Sequence, residues 1–326
     1  MYYLMTAHCT FVGTDDSGKL IQLNFSKENL PRLVRIADIE TGCVIKDGAL
    51  RGFELTPFPG GVSFTMGGKY LCALANSMTL IADRDVLAEW ERFTAVAENA
   101  AQNITVCKLG SEPNAVLRNF SKYHLGCGGL FIRGFLNIDF YPNVAPDTLY
   151  SNHRGIEGAN FLNYDLTKGV PGEDDTIELI YHCHFLEHLA YPEARRLLRQ
   201  AYARLKPGGM MRILVPDLEL WIQNYHDNNA AFFDAYRRQS LDNNCDVYKT
   251  KAAVFMGMLH GHGHRWGYDY ETLHWLLQRV GFGEIRRLLY QESAFAQIIK
   301  EMEPYSPLRG MESLCVECTK LIGSRR

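Results

Sequence analysis

The sequence contains no apolar run of about 18 residues, so nothing in it reads as a membrane-spanning helix. It lacks a basic start followed by an apolar stretch. Met1-Tyr2-Tyr3-Leu4-Met5 therefore does not read as a secretory leader. It also lacks a strong field of one sign. Lys and Arg number 34 against 37 Asp and Glu, a net charge of −3. No basic stripe interleaved with aromatics appears, so nucleic acid is not an expected partner. The cysteines make no even framework. Nine are scattered along 326 residues, which points to reduced thiols and a cytoplasmic protein. Cys315 and Cys318 form the one close pair of interest, but they lie in an alternating apolar stretch. A strand there would turn them to opposite faces, so no redox or metal role is assigned to them. The length favours two domains over one.

Residues 1–108 lack helical periodicity until Val86-Leu87-Ala88-Glu89-Trp90. Short β-like runs are broken by turn signals at Thr14–Gly18, Lys46-Asp47-Gly48, Pro57–Gly61 and Met66-Gly67-Gly68. That spacing predicts an all-β domain. A loose repeat pairs Cys9–Leu20 with Cys43–Leu50 and with Gly68–Arg84. Three copies at roughly 30-residue spacing suggest a trefoil. Gly68-Lys69-Tyr70-Leu71-Cys72-Ala73, Ala82-Asp83-Arg84 and Trp90-Glu91-Arg92-Phe93 resemble the fascin-like β-trefoil repeat. Trp90 and Phe93 read as core plugs rather than as a sugar platform.

Residues 109–326 read as an α/β domain. Tyr123-His124-Leu125-Gly126-Cys127-Gly128-Gly129 is an apolar run ending in glycines. Eleven residues after Gly128, the run Leu136-Asn137-Ile138 closes on Asp139. Asn163-Tyr164-Asp165-Leu166 follows, then Ile177–Cys183, the segment His184-Phe185-Leu186-Glu187-His188, Lys206-Pro207-Gly208-Gly209, and Met211–Val215 before Pro216-Asp217. Each apolar run ends in a polar residue or glycine. In an open parallel sheet, ligands bind outside such carboxyl ends. Glycines let backbone approach a ligand without a Cβ clash, and an acid at a strand end can accept from both ribose hydroxyls. Dinucleotide folds place that acid roughly 20 residues on, so the shorter spacing here disfavours NAD. Further along, Pro192–Leu205 and Tyr270–Phe282 have helical periodicity, with Arg195, Arg196 and Arg199 on the wet side of the first. Glu284–Leu288 and Glu312–Thr319 read as strands.

This ordered set resembles class I S-adenosylmethionine-dependent methyltransferases, in particular a glycan and small-molecule subset with the wording LGCG … N-x-D and H-x-LEH. Leu130 stands where the common loop has a third glycine. The resemblance implies a Rossmann-like fold and S-adenosylmethionine as cofactor, held by Leu125, Gly126, Cys127, Gly128, Asp139, Asp165, Leu166 and His182. It also implies that the residues after the fourth strand lie beside the transferable methyl. His184 is then the first candidate for general base. His264, in His260-Gly261-His262-Gly263-His264-Arg265-Trp266-Gly267-Tyr268, is the second. Glu187, His188, Asp217 and Tyr268 would bind the acceptor, with Trp221 at the same rim. Asp217 reads equally as a helix N-cap. The family subset implies a sugar or glycan-precursor hydroxyl as acceptor, hence O-methylation in polysaccharide biosynthesis.

Other readings stay open. The alternate histidines suggest a metal, and with it a hydrolase, since imidazole is a common ligand. No paired carboxylates accompany them in sequence, so no metal is assigned. The domain could instead be a non-catalytic scaffold that binds a glycan or a protein. A homo-oligomer is left open.

Overall fold

The computed structural model describes residues 1–37, 48–75, 77–85, 87, 91–110, 113–240 and 246–323. Trp90, most of the helical stretch expected at Val86–Trp90, and the start of the second repeat copy at Cys43–Asp47 lie outside them. The chain divides into two compact units. One joins residues 1–111 with 128–165, and the other joins residues 112–127 with 166–326.

The first unit opens with nine strands: β1 (Tyr2–Met5), β2 (Phe11–Thr14), β3 (Leu20–Leu23), β4 (Arg35–Ile36), β5 (Glu54–Phe58), β6 (Gly61–Met66), β7 (Lys69–Ala73), β8 (Leu80–Arg84) and β9 (Phe93–Ala97). They run in the order β3-β2-β1-β9-β6-β7-β8, with β4 on β1 and β5 on β6. Every pairing is antiparallel. The two ends of this path meet, because Ile21 bridges Thr79 and Gln22 N donates to the Met78 carbonyl at 2.6 Å. The expected turns at Asp15–Gly18, Phe58–Gly61 and Met66–Lys69 close hairpins. At the last of these, Gly67 and Gly68 both have positive φ, as a two-residue hairpin loop of type I′ requires. Leu4, Val12, Val62, Phe64, Leu71 and Phe93 fill the interior. Phe93 is thus a core residue, as its spacing predicts.

The same unit carries β10 (Thr105–Lys108), β12 (Leu136–Asp139), β13 (Thr148–Ser151) and β14 (Asn160–Asn163), in the order β10-β13-β14-β12. β12 and β14 are parallel, and the other neighbours are antiparallel. β10 lies at the end of the predicted first domain, yet it hydrogen-bonds to a strand of the predicted second.

The second unit contains β11 (Lys122–Leu125), β15 (Ile177–Cys183), β16 (Leu205–Pro216), β17 (Gly283–Leu288) and β18 (Ser313–Thr319), in the order β11-β15-β16-β18-β17. β11, β15 and β16 are parallel, and β18 runs antiparallel to both β16 and β17. Ile177, Leu179, Ile180, Tyr181 and His182 are all buried. Such near-continuous burial marks a strand covered on both faces. The Lys206–Gly209 turn bulges out of β16 between Leu205 and Met210. Helix α1 (Tyr191–Arg204) buries Ala194, Leu197, Leu198 and Ala201 and leaves Arg195, Arg196 and Arg199 exposed. Its first turn is closed by Glu193, which accepts from Ala190 N at 2.9 Å.

Helices α2 (Leu218–His226), α3 (Ala230–Ser240) and α4 (Lys251–His260) share one aromatic core around Trp221. Trp221 is fully buried with the Tyr236 ring edge-on at 4.6 Å. It does not rim a pocket, because its indole serves as the packing centre of these helices. Helix α5 (Tyr270–Val280) is capped by Asp269, which accepts from Thr272 N, and ends on Gly281 at φ +119°.

A charged network is buried in this unit. Arg212 on β16 is bound by Glu303 at 3.0 Å and by Glu317 at 3.1 Å, and it also donates to the Glu292 carbonyl at 2.7 Å. Removing it strands two buried carboxylates. Arg212→Met should lower the unfolding free energy by about 3–5 kcal/mol, measured by urea denaturation. A loss below about 1 kcal/mol would contradict this assignment of the network.

Candidate active site

The glycine turn follows β11. Gly126 and Gly128 adopt φ of +62° and +50°, a region that favours glycine. A Cβ on Gly126 would fall 2.3 Å from the Phe185 ring, so packing also requires glycine there. Around Gly128 the space is open. Gly128 N donates to Asp139 Oδ2 and Phe140 N to Oδ1, both at 2.7 Å. The Gly128 carbonyl accepts from the Tyr141 hydroxyl at 2.8 Å. No helix intervenes before β12, so no helix N-terminus contributes to this turn.

Asp139 is half-buried, and burial raises its pKa against the opposing pull of the two backbone N–H groups. An ionised carboxylate has about four lone-pair sites. Two are used here, which leaves acceptor capacity for hydroxyls. Open space beside Gly128 and spare lone pairs on Asp139 fit the ribose of a nucleoside cofactor. Asp165 stands two residues beyond β14 and is half-buried. Leu125, Cys127 and Leu166 are buried, so they offer main chain rather than side chain.

His182 likewise offers main chain rather than side chain. It is fully buried in β15, and neither ring nitrogen has a hydrogen-bond partner. Its burial, with His124 nearby, pushes its pKa down to about 3.

The residues after β15 make a compact polar cluster within the second unit. His184 has a left-handed backbone, φ +51°, uncommon for a residue with a Cβ. Its Nε2 lies 2.8 Å from the Ser313 hydroxyl, and its Nδ1 lies 3.3 Å from Glu187 Oε1. Burial, then the Arg309 charge, holds its pKa well below the usual value, so the imidazole is neutral. His264 Nδ1 is 2.5 Å from the Met258 carbonyl, and its Nε2 is 3.9 Å from Glu187 Oε1. Its pKa is pushed down to about 4, first by burial and then by His188. The His188 and His264 rings meet edge to face at 4.8 Å. Burial pushes the Glu187 carboxyl up to about 8. A cavity of about 190 Å³ is lined by His184, His188, Tyr236, His262, His264, Arg309 and Glu312.

The family model described as "Methyltransferase domain" matches residues 84–285, more than half of the chain. The chain belongs to this methyltransferase family. It is an enzyme that takes its methyl group from S-adenosylmethionine. Among solved structures, the methyltransferase is similar to an S-adenosylmethionine-dependent methyltransferase from Archaeoglobus fulgidus. That match has 16% identity and a TM-score of 0.34, over 64% of this chain and 92% of that one. One from Mesorhizobium loti matches at 18% identity and a TM-score of 0.33, over 64% of this chain and 98% of that one. A possible histamine N-methyltransferase from Thermotoga maritima matches at 16% identity and a TM-score of 0.34, over 61% and 81%. No curated protein matches the sequence.

Two expected acceptor residues of the methyltransferase are structural. Asp217 caps α2, accepting from Leu220 N at 3.4 Å, and its other oxygen is bound by Arg287 at 2.5 Å. Tyr268 is fully buried, and its main chain pairs with Asp217 and Leu218. Both lack the surface an acceptor would need. Sequence reasoning missed Tyr236, Arg309, Glu312 and Ser313. For Ser313 a signal existed. A final antiparallel strand starts where its parallel neighbours end, and Ser313 pairs with Pro216 at the end of β16.

His182 generates a pH dependence with a definite sign. Its folded pKa lies below the ordinary value, so between about pH 3 and 6.5 the unfolded chain binds the extra proton. Stability therefore falls as pH drops through that window. His182→Leu should shrink the acid slope by up to about 1.4 kcal/mol per pH unit, read from urea curves between pH 6 and 4. Parallel curves for the variant and the wild-type protein would refute the assignment.

Proposed function

We propose that the methyltransferase acts on a hydroxyl of a sugar or glycan precursor, with His184 as the general base. The observation that carries this reading is the neutral imidazole of His184 on a left-handed backbone, at the wall of a cavity at the carboxyl end of β15. Strained backbone persists where the surroundings enforce it, and functional sites are where it concentrates. S-adenosylmethionine supplies an electrophilic methyl group. The protein's share is alignment, exclusion of water and removal of the hydroxyl proton. In this reading the Gly126–Gly128 turn and Asp139 hold the cofactor, and Asp165 faces its base. His184 takes the proton through Nε2, the nitrogen that now contacts Ser313. Glu187 Oε1, 3.3 Å from the other ring nitrogen, holds it in place.

A second cleft supports a glycan acceptor. Tyr191, Trp266, Tyr270, His274 and Trp275 line about 720 Å³, and Trp266 and Trp275 are roughly half-exposed, at 45% and 53%. Aromatic faces joined to a polar rim suit an amphipathic ligand such as a sugar. Trp266 stands two residues after His264, so one loop serves both cavities.

We further infer that residues 1–108 form a fascin-like β-trefoil and residues 109–326 the catalytic domain. The closed antiparallel sheet and its hairpins support the trefoil. The free thiols of Cys9, Cys72, Cys107, Cys183, Cys315 and Cys318 are in keeping with a reducing cytoplasm.

Calorimetric titration with S-adenosylmethionine and S-adenosylhomocysteine, followed by a sugar panel scored by S-adenosylhomocysteine release, tests the proposal. Micromolar cofactor binding is expected, at least tenfold weaker in Asp139→Ala. His184→Gln should bind cofactor normally and turn over about 100-fold or more slower. Binding without turnover on any sugar would overturn the acceptor. No cofactor binding would favour a non-catalytic scaffold.

A further inference from the structure

The cluster at the end of β15 holds more polar groups than a general base requires. Glu187 is 1% exposed, and neither of its carboxylate oxygens makes a hydrogen bond of good geometry, although Oε1 lies 3.3 Å from His184 Nδ1. A carboxyl buried in that way keeps its proton when left alone, and gives it up only beside a cation. Glu187, His188 and His264 each bring one ligand atom within 4.8 Å of the others. The sequence separates Glu187 from His264 by 77 positions, which is why no carboxylate is visible beside the histidine-rich loop.

The proton positions also favour coordination. His264 Nδ1 faces the Met258 carbonyl at 2.5 Å, so Nδ1 carries the hydrogen and Nε2 presents a lone pair. Metal-ligating histidines are held in this way, with the second ring nitrogen donating to a carbonyl or carboxylate. That Nε2 is 3.9 Å from Glu187 Oε1. Two donors each bound at about 2.0–2.1 Å stand roughly 3–3.5 Å apart, so small side-chain rotations suffice. The positive neighbour, Arg309, is itself paired with Glu312 at 3.1 Å.

We propose that Glu187, His188 and His264 bind one divalent transition-metal ion of the Mn²⁺ to Zn²⁺ series. Two imidazoles and one carboxylate suit these ions and leave coordination positions open. The adjoining cavity of about 190 Å³ gives those positions room. Resting on the methyl-transfer reading for its chemistry, an ion there would polarise an acceptor hydroxyl and ease its ionisation.

The test reads metal directly and needs no methyl transfer. The full chain, purified without a histidine tag and treated with chelator, is titrated with Zn²⁺ and with Mn²⁺. One equivalent with micromolar or tighter Kd is expected. His264→Ala and Glu187→Gln should each weaken it at least tenfold, while His226→Ala, on the exposed end of α2, should not change it. S-adenosylhomocysteine binding to each variant reports the fold and keeps failure of the metal site distinct from failure of the cofactor site. X-ray absorption of the Zn²⁺-loaded wild-type protein should show nitrogen and oxygen ligands with imidazole scattering. Absence of stoichiometric binding of both ions, unchanged binding in both variants, or sulfur ligation would overturn the proposal.

Discussion

The parallel pairing of β15 with β16 is the constraint on which the second unit depends. Buried on both faces, these strands can place polar chemistry only at their ends or in fully paired networks. Arg212, in the middle of β16, takes the second course through Glu303 and Glu317. His184 and Asp217, just past the strand ends, take the first. The register that sets Cys183 against Leu214 and Pro216 against Ser313 also sets the His184 ring beside the Ser313 hydroxyl. A slip of one residue would reverse the faces of the strand and dissolve both the core and the site.

Low dielectric then shapes the chemistry. Burial holds His182, His184 and His264 neutral and raises the Glu187 carboxyl. Neutral imidazoles are bases or ligands, not cations. Two of the residues with positive φ outside glycine, His184 and His262, line the same cavity. Tertiary packing from several elements enforces these conformations, and no local propensity would select them.

Much of the fold was legible because it rests on local patterns. The period of Ala194, Leu197, Leu198 and Ala201 defines α1, and Asp269 with Gly281 brackets α5. The glycine turn and Asp139 were legible as strand-end chemistry, and the structure joins them through the Gly128 N–H. Contacts distant in sequence were not legible. Nothing near His264 announces Glu187, and nothing near Trp221 announces that its partners lie on α3 and α4. The side chains of His182, Asp217 and Tyr268 are buried for one reason. A strand-end position predicts proximity to a site, but only packing decides whether a side chain keeps any surface there.

The central proposal is that Asp139 holds the ribose of the methyl donor. A crystal structure of the complex with S-adenosylhomocysteine tests it most directly. The account predicts the ribose hydroxyls within hydrogen-bond distance of the Asp139 carboxylate. A cofactor bound elsewhere, with Asp139 engaged only by Gly128 and Phe140, would contradict it.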